Sequence, residues 1–405
     1  MIRECMETRI AKKCDVLVCG GGFAGIAAAL AAARQGKKVV LLEKLYILGG
    51  LGTAGIVTIY LPLCDGYGHQ VSFGIAEELL RLSISMGHED TPEKYPDNWL
   101  DSDDPARRTE NDKRFRVQYN PSLFAIQAEQ YLINAGVEIM YGTNAVAAHT
   151  ENGKIDAVII ENKSGRTAIE VQSVVDATGD ADIAWFAGAP TAEYQLGNNL
   201  AAWYYHCGKD GYKLQMLGFS DVPDEEKKPD DKVQALVNRK FLGLDGDEIS
   251  EMTIQSHAST MNDIIKRRKE DPSLIPTMLA TMPQIRMTRR IVGEYTQDIT
   301  EDHVSYDDSI GMICNWRKRG PIYEVPFRSL YSKDVKNLIC AGRCTSVTDE
   351  MWDLMRVIPC CAVTGEAAGV AAAMTDDFTS LDVSKLQEIL VKNGVVLHLK
   401  DIGQA

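Results

Sequence analysis

The sequence predicts an α/β fold, and three observations predict it. Residues 14–44 read as a strand, a small-residue helix and a second strand. Three separated apolar runs each end in glycine, at Gly20–Gly25, Gly179 and Gly342. Two helices, Ile26–Ala33 and Thr364–Met374, consist largely of small residues that let a helix lie close to a sheet. Strands alternating with helices in this way build a parallel sheet.

The first unit carries the chemistry most plainly. Asp15-Val16-Leu17-Val18-Cys19 runs into Gly20, Gly22 and Gly25, and Val39-Val40-Leu41-Leu42 ends in Glu43. Gly20 permits the tight turn, Gly22 lets the backbone approach a pyrophosphate, and Gly25 lets the helix pack on the strand. The helix N-terminus supplies amide donors and partial positive charge, and Glu43 accepts from a ribose diol. With both strands, the helix and the acid in place, the motif indicates a dinucleotide; the bland alternative is a structural glycine turn.

The remaining elements follow in order. Leu48–Gly55 holds four glycines in eight positions and can approach a ligand backbone-first. The pattern loosens over 61–115, and Glu89–Asp112, rich in acids, Pro and Asn, reads as an exposed excursion. A helix is expected over Ser122–Ala135, capped by Asn120 with Pro121 in its first turn. Three strand-type runs come next, separated by the turn signals Asn152-Gly153 and Ser164-Gly165. The last run, Ile169–Ala177, enters Thr178-Gly179-Asp180. Residues 196–325 differ in composition, with an acidic loop at Asp221–Lys232, a charged amphipathic stretch at Met261–Lys269, and the cluster Arg286, Arg289 and Arg290. A final strand over 335–343 ends at Gly342-Arg343.

Bulk properties narrow the classes. A chain of 405 residues, 45% hydrophobic and 25% charged, is expected to be a soluble globular protein of two domains. A net charge of -14 opposes a nucleic-acid surface and an anionic membrane. No run approaches the roughly 20 apolar residues of a membrane span, and the mixed-charge N-terminus does not read as a signal peptide. The ten scattered cysteines point to a reducing cytoplasm, and without CxxC no iron–sulfur centre is expected. The histidines have no metal-ligand spacing, so no metal is expected.

Three glycine turns exceed what a nicotinamide needs and suit an extended FAD. The stretches 15–44, 48–55, 174–190, 286–295 and 337–374 resemble the FAD-dependent oxidoreductases whose flavin domain is related to fumarate reductase and succinate dehydrogenase flavoproteins. The flavin subunit of heterodisulfide reductase is a relative. The resemblance implies a Rossmann-like FAD-binding domain of glutathione-reductase type, from 1–60, 116–195 and 326–405, with an inserted α+β substrate or cap domain from 61–115 and 196–325. It places Gly20, Gly22, Phe23, Ala24 and Gly25 at the pyrophosphate and Glu43 and Lys44 at the adenosine ribose. Gly50, Thr53 and Ala54 run beside the flavin, and Val146 meets the adenine. Gly179, Asp180, Gly342 and Arg343 flank the pyrophosphate and ribityl chain, while Arg356 and Val357 lead into a helix aimed at the flavin. The covalent-flavin histidine has no counterpart, which implies non-covalent FAD. Thr348-Asp349-Glu350 stands where the pattern has a His, and the relative's iron–sulfur ligands are absent.

The chemistry has several candidates. Arg289, with Arg286 and Arg290, suits a substrate carboxylate, or a salt bridge to Glu294 or between domains. Arg356 serves anionic flavin or substrate, or pairs with Asp349 or Asp353. His69 and His206 are general acid–base candidates, or ordinary hydrogen-bonded histidines. Cys360-Cys361 reads as two buried thiols rather than a redox pair, and Trp316 and Trp352 as pocket walls or core. The expected function is hydride transfer between a small organic substrate and flavin N5. The alternatives are a flavin monooxygenase and a non-catalytic electron relay; a homo-oligomer stays open.

Overall fold

The computed structural model describes residues 2, 6–86, 114–218 and 235–404. The excursion expected at Glu89–Asp112, the acidic loop Asp221–Lys232, Cys5 and His88 lie outside them. A seven-stranded sheet forms the centre. Ile10–Cys19 lies between Val39–Leu42 and Gly165–Asp176, parallel to both, and Glu138–Met140 extends the sheet beyond Val39–Leu42. The strand Gly165–Asp176 is long enough to take two partners on its other edge. Its first half pairs antiparallel with Lys154–Asn162 and its last three residues pair parallel with Leu338–Cys340.

The first strand alternates between two cores. Val16 and Val18 face one made with the helices, whereas Leu17 and Cys19 face a second core with Ile155, Val158 and Ile160. On the helical side Phe23–Arg34 and Ile358–Met374 lie against each other. A Cβ on Gly365 would sit 2.3 Å from the Ala24 carbonyl oxygen, and one on Gly369 2.2 Å from that of Ala28. The two helices therefore meet backbone to backbone, four residues apart on each. Apart from Arg34 and Glu366, both are made of apolar or small residues all round and almost wholly buried, as a helix in that position must be.

Local signals behaved as their chemistry requires. Asn120 accepts from the amides of Ser122 and Leu123, both at 3.0 Å, and starts the helix Pro121–Asn134. Asn152 and Gly153, both at positive φ, turn Asn144–Glu151 into Lys154–Asn162. The late helix starts at Ile358, six residues before the expected Thr364, because Pro359 in its first turn has no N–H to lose there.

The expected insertions pack in two ways. The helix Ile75–Ile84 lies on Ile358–Met374, and the paired strands Ser309–Cys314 and Ile322–Pro326 also join the main core. A separate three-stranded sheet comprises Tyr204–Gly208, Gly211–Gln215 and Ile275–Leu279. With the helix Gly246–Arg268 and the small clusters around Leu200, Phe241 and Leu274, it forms a second layer with its own core. No single helix among the described residues is long and apolar enough to cross a membrane.

Candidate functional site

A cleft opens where the central strands end in the glycine turns. Its walls include Gly20, Gly22, Phe23 and Ala24, then Glu43 and Lys44, Gly49–Gly52, Thr143–Ala145, Ala177–Gly179, Arg343 and Arg356. The three glycines of the first turn have different duties. A Cβ on Gly25 would lie 1.8 Å from the Gly20 carbonyl oxygen, and one on Gly20 would lie 2.4 Å from that of Ala177. Both are fixed by contacts within the protein. A Cβ on Gly22 would meet nothing within 4 Å, and Gly22 lines the cleft. Its bareness leaves room for a ligand.

The helix behind this turn has Gly22 as its N-cap, with no side-chain cap and no acid in its first turn. Its first amides are available to an anion. Glu43 is 5% exposed; Oε2 accepts from the Gly21 amide at 2.9 Å and Oε1 from the Leu45 amide at 2.7 Å. Burial raises its pKa, and these amides oppose the shift. A carboxylate oxygen accepts more than one bond, so Glu43 retains capacity for a ribose hydroxyl.

Asp176, not singled out in the sequence, shapes the second turn. Asp176 is fully buried and accepts from the amides of Thr178, Ile183 and Ala184 and from the Thr178 hydroxyl. Arg343 lies against Gly179, where a Cβ would meet its Nη2 at 2.1 Å. Asp180 turns away from the cleft to accept from the Thr288 hydroxyl at 2.8 Å. Asp182 lines the cleft, and burial, reinforced by Asp180 and Asp176, raises its pKa to about 6.

At the far end a smaller cavity adjoins the cleft. Leu51, Gly52, Arg343, Arg356 and Ile358 line both spaces, and Val57, Ile59, Leu61, Trp203, Arg286 and Val357 complete the smaller one. Three guanidiniums, of Arg286, Arg343 and Arg356, thus line an otherwise apolar chamber. Arg286 stacks over Trp203 at 5.3 Å and donates to Gln284 at 2.7 Å. Burial pushes its pKa down, and the neighbouring Arg356 adds to that. Its backbone is held by Asn198, whose side-chain oxygen accepts from the amides of Arg286 and Met287. Arg356 donates Nε to Asp353 at 3.0 Å, and Asp353 also binds Arg317. Burial alone would raise the Asp353 pKa, but the two arginines outweigh it and bring it to about 2.

Other expected residues lie elsewhere. Gly25 is packed under Gly20, and Gly342 against Ala24 and Cys361. Thr53 donates to the Leu48 carbonyl, and the Ala54 carbonyl accepts from the Thr281 amide at 2.8 Å. Val146 sits at a bulge in its strand, and Thr143–Ala145 line the cleft instead. Arg289 lines neither space. It donates to Asp182 at 2.7 Å and covers the Trp185 ring, which follows from its place on the strand Arg289–Ile291 paired with Thr191–Glu193. Glu294 pairs with Lys333. His69 is bound to Asp65 at 2.8 Å in a loop outside both spaces. His206 is buried in the second-layer sheet; burial lowers its pKa, and its Nδ1 has no hydrogen-bond partner. Trp316 and Trp352 are fully buried behind the arginines. Cys360 and Cys361 are free buried thiols, the latter pushed up to about 11 by burial. Sequence reasoning missed Asn198 and Asp176, whose types carry no local motif.

Residues 15–202 and 195–390 match the family model described as FAD dependent oxidoreductase. A probable electron transfer flavoprotein-quinone oxidoreductase of Escherichia coli is 29% identical over 152 residues, 36% of this chain and 32% of that protein. Urocanate reductase of Eggerthella lenta is 69% identical over 36 residues, 9% of this chain and 6% of that protein. The matched region thus spans a third or less of either relative's length. Among solved structures, a 3-ketosteroid-Δ4-(5α)-dehydrogenase from Rhodococcus jostii aligns over 91% of this chain and all of that one, with 14% identity and a TM-score of 0.42. A geranylgeranyl bacteriochlorophyll reductase-like protein from Thermoplasma acidophilum covers 95% and 84%, with 12% identity and a TM-score of 0.43. The open space at Gly22 and the uncapped helix beside it fit a dinucleotide pyrophosphate. The chain belongs to the FAD dependent oxidoreductase family: it is an oxidoreductase, and its cofactor is FAD.

Proposed function

We propose that the protein oxidises or reduces a small organic acid, held in the arginine-lined chamber beside the cofactor cleft. The observation that carries this reading is the shared wall. Arg343 and Arg356 border both spaces, so a molecule in the chamber is one residue's width from the cleft. FAD, held without a covalent bond, supplies the capacity to accept or donate a hydride at flavin N5.

The chain's own residues divide the remaining work. The amides after Gly22 receive the pyrophosphate, and Glu43 receives the ribose. Thr143–Ala145 border the adenosine end. Arg286 and Arg356 orient a substrate carboxylate, and Leu61, Ile59 and Trp203 exclude water from its apolar part. Asp353 fixes the Arg356 guanidinium from behind, so little ordering is left to occur on binding. The helix Ile358–Met374 has no side-chain cap, and its N-terminus lies at the junction of the two spaces. That end favours negative charge there.

The purified protein is expected to be yellow, and small carboxylic acids screened anaerobically are expected to bleach it or to reoxidise the reduced form. A protein that stays colourless after reconstitution with FAD, or responds only to uncharged compounds, would overturn the reading.

A further inference from the structure

The charged amphipathic stretch near Met261–Lys269 is the C-terminal half of the helix Gly246–Arg268, and no part of that helix lines the cleft or the chamber. One face is committed to the protein. Met252, Thr260 and Ile264 are buried, Ser256 donates to the Ala201 carbonyl, and Asp263 accepts from the Tyr204 hydroxyl.

The opposite face is different. Asp247, Glu251, Ile254, Ala258, Met261, Ile265 and Arg268 are spaced alternately four and three residues apart. That spacing is the seam of a two-helix coiled coil. Its apolar centre faces outward: Ile254 is 67% exposed, Met261 57% and Ile265 53%. We propose that this face is a homodimer interface in which two copies of the chain pair antiparallel along this helix.

Charge selects both the occupant and the direction. The seam is acidic at its start and basic at its end, with Asp247 and Glu248 in the first turn and Lys266, Arg267 and Arg268 in the last. An antiparallel second copy sets Ile254 against Ile265, Ala258 against Met261, and Glu251 against Arg268. A parallel copy sets Glu251 on Glu251 and Arg268 on Arg268, and aligns the helix dipoles unfavourably. Both arrangements have the two-fold axis of an isologous dimer, but the surface is complementary to itself only when that axis is perpendicular to the helix. Glu251 already binds Arg239 and Gln255, but a carboxylate has acceptor sites for a further guanidinium. Arg268 uses its Nε on the Leu274 carbonyl. The paired stretch from Glu251 to Arg268 runs about 27 Å, roughly two and a half heptads.

Sedimentation equilibrium of the FAD-loaded protein tests this. The mass is expected to rise with concentration from 44.6 kDa toward twice that value. Ile265→Asp is expected to weaken association at least about 100-fold, and Met261→Gln about tenfold, with helical circular dichroism and flavin absorbance unchanged. Glu251→Arg is expected to weaken it about tenfold, and adding Arg268→Glu to restore it. A wild-type protein that stays monomeric throughout, or a dimer indifferent to Ile265→Asp and Met261→Gln, overturns the proposal. Failure of the charge reversal to rescue overturns the antiparallel pairing.

Discussion

At its glycine end the cleft is walled mainly by backbone: Gly20–Gly22, the turn Gly49–Gly52 and the strand ends at Ala177–Gly179, with Glu43 the principal buried acid. At the other end the walls are side chains, with Arg286, Arg343, Arg356 and Trp203 around apolar residues. The first end relies on the absence of side chains, because a pyrophosphate is recognised by amides that any residue carries but only glycine leaves accessible. The second relies on guanidiniums brought from distant parts of the chain. A common cofactor can be held by a local motif, whereas selectivity for a substrate requires converging side chains.

Four substitutions break or sharpen that contrast, in decreasing order of expected effect. Gly25→Val places atoms where even a Cβ lies 1.8 Å from the Gly20 oxygen. More than about 4 kcal/mol of stability is expected to be lost, read as no soluble yellow protein on expression. Normal yield and colour would mean that the glycine end tolerates side chains after all.

Arg356→Met keeps much of the bulk and removes the charge, leaving Asp353 with Arg317. Weakening of carboxylate binding by about 2–5 kcal/mol is expected, with flavin content retained. Difference titration with a panel of small acids measures it, and equal affinities in both proteins would remove Arg356 from substrate binding.

Gly22→Ala adds a Cβ that touches no protein atom. The melting temperature of the apoprotein is therefore expected to be unchanged, while FAD affinity falls about 10- to 100-fold through steric exclusion. Fluorescence titration with FAD separates the two effects. A loss of apoprotein stability without loss of affinity would contradict the division of labour among the three glycines.

The smallest effect concerns Glu366, buried within Ile358–Met374, where it accepts from the Ile75 amide at 2.7 Å. Burial raises its pKa to about 7 from 4.5. The native state therefore holds a proton that the unfolded chain releases between those values. Its contribution to stability is complete below pH 4.5, falls as pH rises toward about 7, and is flat above. Glu366→Gln keeps the acceptor and is expected to remove this slope, on the order of 1–3 kcal/mol, and to melt higher than the wild type at pH 8. Chemical unfolding from pH 4.5 to 8 measures it; parallel profiles would assign the slope to other groups.

Legibility followed the range of the interactions. The turn at Gly20–Gly25, the cap at Asn120 and the hairpin at Asn152-Gly153 each depend on residues a few positions apart, and each formed where its residue types direct. The cluster at 286–290 was visible too, but not which member points inward. Arg289 lies on a short strand that aims it at Asp182, while Arg286, three residues earlier, reaches the chamber because Asn198 holds its backbone. That choice rests on pairings roughly ninety residues or more away in the chain. Asp176 was read only as the end of a strand, yet its carboxylate organises the whole second turn.

By itself the sequence determined the α/β plan, the dinucleotide cradle and FAD as the cofactor to expect. Glycine spacing, helix starts and strand ends are local, and local geometry follows from residue type. Only the tertiary structure decided that Gly25 supports the turn while Gly22 opens onto the cleft, and which arginines line the chamber. Those outcomes depend on what the rest of the chain places within a few ångströms of each residue.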